Sequence, residues 1–194
     1  MRQDHPILEK LAHYAAVSPE KIAYQVIEQN NSVTRLSYEA LKTQAQAYAA
    51  QLNAIGVKPR DRVVIITQSH PYAMVAFLGT LMADSIPVPI DASLAGEHWL
   101  GLAQRVQAVA ISIAPVLTQK LTPALQKSYP LLNHYDAGAL YPDSIQRVSQ
   151  VASDQPESPE VSCILMSSGT SGLAKAICLT ACNLQASIDK LLSY

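Results

Sequence analysis

The sequence is poor in charge. Lys, Arg, Asp and Glu make up 15% of its 194 residues, where about 25% is usual for a soluble domain. That deficit points to extensive burial, or to a surface that meets more protein. The formal net charge is -1. No basic stripe runs along the chain, so nucleic acid is not an expected partner, nor is polybasic attachment to a membrane. Cysteine is scarce: Cys163, Cys178 and Cys182 are the three present. An odd number without a secretory leader argues against a disulfide scaffold. No third soft ligand stands near Cys178 and Cys182, so buried or half-buried thiols are expected rather than zinc. His5, His13, His70, His98 and His134 are scattered, with no pair at metal spacing, and are read as surface or turn residues.

Long apolar runs are also missing. The opening MRQDHPILEKL holds no apolar h-region, so no secretory leader is read. The longest apolar stretch, Tyr72–Ala83, is interrupted by Gly79 and Thr80. It is too short for a bilayer span, which takes about 20 residues. A cytoplasmic location is the expectation. No internal repeat is visible.

Hydrophobic residues nevertheless reach 49%, enough for a real core. Pro6–Val17 carries Ile7, Leu8, Leu11, Tyr14 and Ala15 on one helical stripe, with Asp4 as candidate cap. Ile22–Glu28 and Val33–Leu36 flank the turn-prone Asn30-Asn31 and read as a hairpin. Tyr38–Ile55 repeats apolar residues at three- and four-residue steps, with Ser37 as N-cap and Gly56 as stop. Arg62–Thr67 is an apolar, β-branched run, as in a parallel strand covered on both faces. Tyr72–Ala83 follows as a buried helix. Ile86–Ile90 is a strand whose Pro87 and Pro89 suit an edge or a strand end. His98–Val109 reads as a helix, with Trp99 in the core rather than a stacking platform. A strand near Ala114–Leu117, a helix over Pro123–Tyr129 and a strand over Ser144–Val151 come next. Ser153–Glu160 is a polar linker. Val161–Met166 is a buried strand, and Cys182–Tyr194 a helix. Asp61 with Arg62, and Asp91, are read as structural turn groups. The alternation of strand and helix predicts an α/β fold, a layered parallel-rich sheet with flanking helices.

One segment has ligand chemistry. Ser167, Ser168, Gly169, Thr170, Ser171 and Gly172 are followed by Lys175. Glycine lets a ligand approach the backbone, and successive amides in such a turn form an anion-binding nest. The hydroxyls add donors. Lys175 adds a full charge, which roughly doubles the strength of a hydrogen bond to phosphate. The spacing is neither that of the common P-loop nor that of the dinucleotide fingerprint. Ala176–Thr180 reads as a second strand, so the context is strand–loop–strand. On composition alone, a flexible Ser/Gly turn is the better account.

The company it keeps displaces that account. Met166–Leu184, MSSGTSGLAKAICLTACNL, resembles the signature of the adenylate-forming (AMP-binding) acyl ligase superfamily. Ser167, Ser168, Gly169, Thr170, Ser171, Gly172, Lys175, Thr180, Asn183 and Leu184 match its pattern. Ordered upstream matches are Ser18–Ala23, Leu36–Leu41, Gly56–Val63 and Ile86–Asp91. The resemblance implies that residues 1–194 form the first part of the large N-terminal domain of such an enzyme, with 153–160 as an internal linker. It implies ATP and Mg²⁺ as cofactors, with Ser167, Ser168, Gly169, Thr170, Ser171, Gly172 and Lys175 as the binding set. Thr170 and Ser171 would contact phosphate, and Lys175 the leaving pyrophosphate. Its partners would be ATP, a carboxylic acid, a thiol acceptor (coenzyme A or a carrier protein) and the remaining part of the parent enzyme. The adenine- and acyl-pocket segments and the C-terminal domain have no counterpart here, so no residue is assigned to them, and the 194-residue chain alone is expected to be inactive. Ala174, Ala176 and Ala181 replace the family's proline, glycine and histidine, and Arg60 replaces a turn glycine. Alanine at 176 would be strained if the position takes a positive φ. Two other readings stay open: a nucleotide-binding remnant without turnover, and an interaction domain with an incidental Ser/Gly loop.

Overall fold

A computed structural model describes residues 5–28, 30–67, 70–148, 160–167 and 175–192. Helix α1 (Pro6–Val17) opens on a proline, whose missing N–H costs nothing in a first turn. Its capping position is His5, which makes no side-chain capping bond; Asp4 lies outside the described residues. Strands β1 (Ile22–Ile27) and β2 (Val33–Ser37) pair antiparallel. At their turn Asn30 Oδ1 accepts from the Ser32 N–H at 3.0 Å, and Asn31 takes φ 62°. Helix α2 (Tyr38–Ala54) begins where Ser37 Oγ accepts from the Ala40 N–H. It stops before Gly56, at φ 97°.

The central sheet follows. Strands β3 (Arg62–Thr67), β4 (Ile86–Asp91), β5 (Ala108–Ile113), β6 (Leu131–Asn133) and β7 (Ala139–Leu140) stand in the order β4-β3-β5-β6-β7. All neighbours are parallel except β6 with β7. Helices α3 (Pro71–Met82), α4 (Gly96–Arg105) and α5 (Pro123–Ser128) and a 3₁₀ turn (Pro115–Lys120) make the connections. Alternate residues of β3 serve opposite cores. Val63 and Ile65 pack with α1, α2 and α3 residues such as Leu11, Leu52 and Val75. Val64 and Ile66 pack with Trp99 and Ala103 of α4. Burying each such side chain contributes about 1.5–3 kcal/mol. The sheet is thus covered on both faces, as its apolar strands predict.

The two prolines of β4 also behave as expected. Ile86 and Ala92 donate to Asp61 O and Thr67 O, on the β3 side. Even-numbered positions of β4 therefore face β3, and Pro87 and Pro89 face the open edge, which they deprive of donors. Strand β8 (Val161–Ser167) lies alongside that edge but ladders instead with β9 (Lys175–Thr180) in a separate two-stranded sheet. Helix α6 (Ala181–Leu192) follows β9 directly and packs on α1.

Three element assignments need correction. The helix expected over His98–Val109 ends at Arg105. Gln107 turns the chain at φ 50°, and Val109 lies in β5. Buried Arg62 holds this break, donating through Nε to Val106 O and through Nη2 to Gln107 O, both at 3.0 Å. The strand expected near Ala114–Leu117 is β5, ending at Ile113. Pro115 then opens the 3₁₀ turn. Over 144–148 there is no strand. The Val148 N–H bonds instead to Ile55 O, beyond the end of α2, and residues 149–151 lie outside the described set. The linker 153–160 lies outside it too, apart from exposed Glu160.

Two histidines are buried, one of them, His134, in a turn as expected. His5 and His134 are 3% and 1% exposed. Ser112 Oγ and His134 Nδ1 are 3.1 Å apart. Burial, and secondarily the nearby His70, pushes the His134 imidazole down to about 4.

Candidate functional site

In open α/β sheets, ligands gather outside the carboxyl ends of the strands. Here that position is taken by aromatic rings. His70 follows β3 and stacks on Tyr135, which follows β6, with centroids 4.4 Å apart. Tyr72 and His134 complete the cluster. His70 Nδ1 accepts from the Tyr72 N–H, capping α3. That leaves Nε2–H to donate to Glu28 Oε1 at 3.0 Å. Thr34 Oγ1 also donates to this carboxylate, and the two bonds hold Glu28 below the usual carboxylate range. The cluster clasps the β1–β2 hairpin to the sheet. An apolar cavity of about 380 Å³ lies beside it, floored by Ile65 and Pro89 and walled by Val26, Met74 and Phe77. None of its lining residues belongs to β8, β9 or α6.

The chemistry read from the sequence sits on the β8–β9 hairpin instead. Val161 and Ile164 of β8 are buried in the same core as β4 and α4. From there the strand leads outward to Ser167, which pairs in register with Lys175, the first residue of β9. Ser167 Oγ donates to Lys175 O at 3.4 Å. Lys175 is exposed. The structure thus brings the first hydroxyl and the cation of the predicted set together at the open end of a strand–loop–strand unit. Ser168, Gly169, Thr170, Ser171 and Gly172 lie outside the described residues, as does Ala174. Ala176 pairs with Met166 inside the strand and is not among the residues with positive φ, so the conditional strain does not arise. Arg60 does take the left-handed conformation its glycine-like position demands, at φ 71°.

At the other end of β9, Thr180 caps α6. Its Oγ1 accepts from the Asn183 N–H at 3.2 Å, and Asn183 Oδ1 accepts from the Thr180 N–H at 3.0 Å. This reciprocal pair is a capping box with asparagine in place of the usual acid or glutamine. The spacing Thr-x-x-Asn before an apolar helix is its signal in the sequence. Cys163 is buried, and burial, with Cys178 as a lesser cause, pushes its thiol up to about 12. It is no nucleophile at neutral pH. Cys178 and Cys182 are exposed, against the buried or half-buried expectation. Asp61 and Asp91 serve turns, as expected: Asp61 Oδ2 accepts from the Lys58 N–H, and Asp91 Oδ1 from the Ser93 N–H.

The model of the family described as AMP-binding enzyme matches residues 11–193. The chain belongs to that family. Among its relatives, a linear gramicidin synthase of Brevibacillus parabrevis is 31% identical over 84% of this chain and 3% of its own length. A D-alanine–D-alanyl carrier protein ligase of Listeria innocua is 27% identical over 63% of this chain and 26% of its own. The fold is that of a solved fatty acyl-adenylate ligase from L. pneumophila, in complex with acyl adenylate and pyrophosphate. The TM-score is 0.77 at 24% identity, covering 98% of this chain and 33% of that one. This AMP-binding family chain therefore spans about a third of its solved neighbour and a smaller part of the curated relatives.

Proposed function

We propose that the β8–β9 hairpin grips the polyphosphate of ATP in an adenylate-forming ligase. The observation that carries this reading is exposed Lys175 held opposite Ser167 at the open end of the hairpin. A cation and a hydroxyl at one mouth suit phosphate oxygens. We assign Ser168, Gly169, Thr170, Ser171 and Gly172 to the same grip on their sequence alone. Among the described residues, no group of three His, Cys, Asp or Glu side chains could hold a metal. Mg²⁺ commonly keeps its waters and rides on substrate phosphates, and we place it there.

In this reading a carboxylate oxygen attacks the α-phosphorus of ATP, and the bond to the β-phosphate oxygen breaks. Lys175 stabilises the charge that accumulates on the departing pyrophosphate. A thiol, of coenzyme A or of a carrier pantetheine, then displaces AMP from the acyl group. The carrier protein ligase among the relatives supports a carrier as acceptor. We read residues 1–194 as a partial N-terminal AMP-binding domain, working in the cytoplasm with the remaining family segments and inactive without them. Among the described residues no helix is long and apolar enough to cross a membrane.

The test is pyrophosphate release by a protein carrying this chain together with those segments, given ATP, Mg²⁺ and a carboxylic acid. Lys175→Ala should slow release by at least about 100-fold, as for other lost transition-state donors. An unchanged rate would sink the role given to Lys175.

A further inference from the structure

We propose that Thr180 and Asn183 are positioning residues that lock the register of β9 and so hold Lys175 opposite Ser167. The inference rests on the phosphate-grip reading above and deepens it.

The β8–β9 ladder runs evenly from Ser167↔Lys175 to Cys163↔Leu179, then shifts: the next pair is Val161↔Thr180. Ser162 is the extra residue of a bulge. It is 2% exposed, and its buried hydroxyl has no hydrogen-bond partner among the described residues. An unmade bond of a buried hydroxyl works against the bulged register. The competing register slides β9 by one residue. Because side chains alternate across a strand, that slip turns every β9 side chain to the opposite face. Lys175 would leave the face it shares with Ser167.

Two features oppose the slip. The first is the box itself. Thr180 sits at the bulge and is both the last residue of β9 and the cap of α6. The mutual bonds between Thr180 and Asn183 close only when the helix begins at Ala181. Leu179 and Ala181, the residues a shifted boundary would bring to the cap, have no side-chain acceptor. The second is the seat of the helix. Helix α6 packs on α1, and Lys10 Nζ lies 3.5 Å from Asp189 Oδ1. The box thus determines where strand becomes helix, and the α1 contact determines where that junction stands relative to β8. With both ends set, β9 has no freedom to slide, and Lys175, five residues before the cap, takes its place by counting back.

The experiment is a double-mutant cycle on the full 194-residue chain, read by Mg·ATP titration calorimetry and by cross-strand NOEs between Leu165 and Ile177, which are register partners. Asn183→Ala should weaken Mg·ATP binding about fivefold, the scale of a lost cap, and should weaken the Leu165–Ile177 NOE in the same proportion. Asn183→Asp, which keeps the acceptor oxygen, should restore both. In a Lys175→Ala background, Asn183→Ala should weaken binding no further, because it acts through Lys175. An equal loss in both backgrounds, or an intact NOE in Asn183→Ala, overturns the lock. If the unaltered chain does not bind Mg·ATP, the phosphate-grip reading fails, and the NOE alone then decides whether the register is locked.

Discussion

Gly79→Ala asks which of two opposing effects wins at the contact between α2 and α3. In an open helix the change adds about 1 kcal/mol of stability through helix propensity. Here a Cβ would stand 2.7 Å from Ala45 O, 2.7 Å from Tyr48 Cδ1 and 2.9 Å from Tyr48 Cβ. Ala45 O is helix backbone and cannot swing aside. Tyr48 is fully buried, and its ring is walled on another side by Gly138, where a Cβ would lie 2.9 Å from Tyr48 Cδ2. With neither neighbour able to yield, the helices must separate, and overpacking of this kind costs about 1–3 kcal/mol. A net loss of up to about 2 kcal/mol is expected once propensity is subtracted. Gly101 in α4 is the control, since a Cβ there meets nothing within 4 Å. Gly101→Ala should gain about 1 kcal/mol. Urea unfolding followed by circular dichroism measures both, and thermal midpoints should move about 2–4 °C per kcal/mol. Equal stabilisation by the two substitutions would refute the close packing of α2 on α3.

Other outcomes follow from single residues. Arg60→Gly should stabilise the chain by up to about 1 kcal/mol in the same unfolding assay, because the left-handed conformation strains any side chain with a Cβ; a loss of stability would show that contacts of the arginine outweigh the strain. Ser37→Ala should cost about 1 kcal/mol through the lost cap of α2, and amide exchange at Ala40 should quicken. His134 gives the chain an acid-sensitive core. Its folded value, about 4, lies below the unfolded 6.5, so between these the unfolded chain binds more protons. This contribution is fully present above 6.5, falls as pH drops through that window, and is gone below the folded value. It amounts to on the order of 3 kcal/mol at most. His134→Asn should flatten the pH dependence of stability in that window, and an unchanged slope would remove His134 as its source.

Much of the fold is legible locally. Ser37, the apolar steps of α2 and Gly56 mark a helix without reference to anything outside it. The β-branched run of β3 and the prolines of β4 do the same for a covered strand and its edge. The helix–strand boundary at Gln107 is not legible, because Val106 and Val109 fit either period. Arg62, more than forty residues away in sequence, decides it by binding the Val106 and Gln107 carbonyls. Strands β6 and β7, at three and two residues, carry no periodicity and exist through their ladder partners. The burial of His5 and His134 is likewise a property of the neighbours that enclose them.

The candidate site divides in the same way. By itself, the sequence determined the family of the chain and singled out Ser167–Lys175 as the segment proposed to grip phosphate, because residue type and spacing are local. The tertiary structure alone decided that Ser167 and Lys175 stand opposite one another and that the β8–β9 ladder shifts register at Ser162. Those outcomes depend on a ladder partner and on the seating of α6 against α1, contacts between segments far apart in the chain. Hydrogen bonds and packing between distant segments leave no period in a sequence, which is why the register of the hairpin had to be read from the fold.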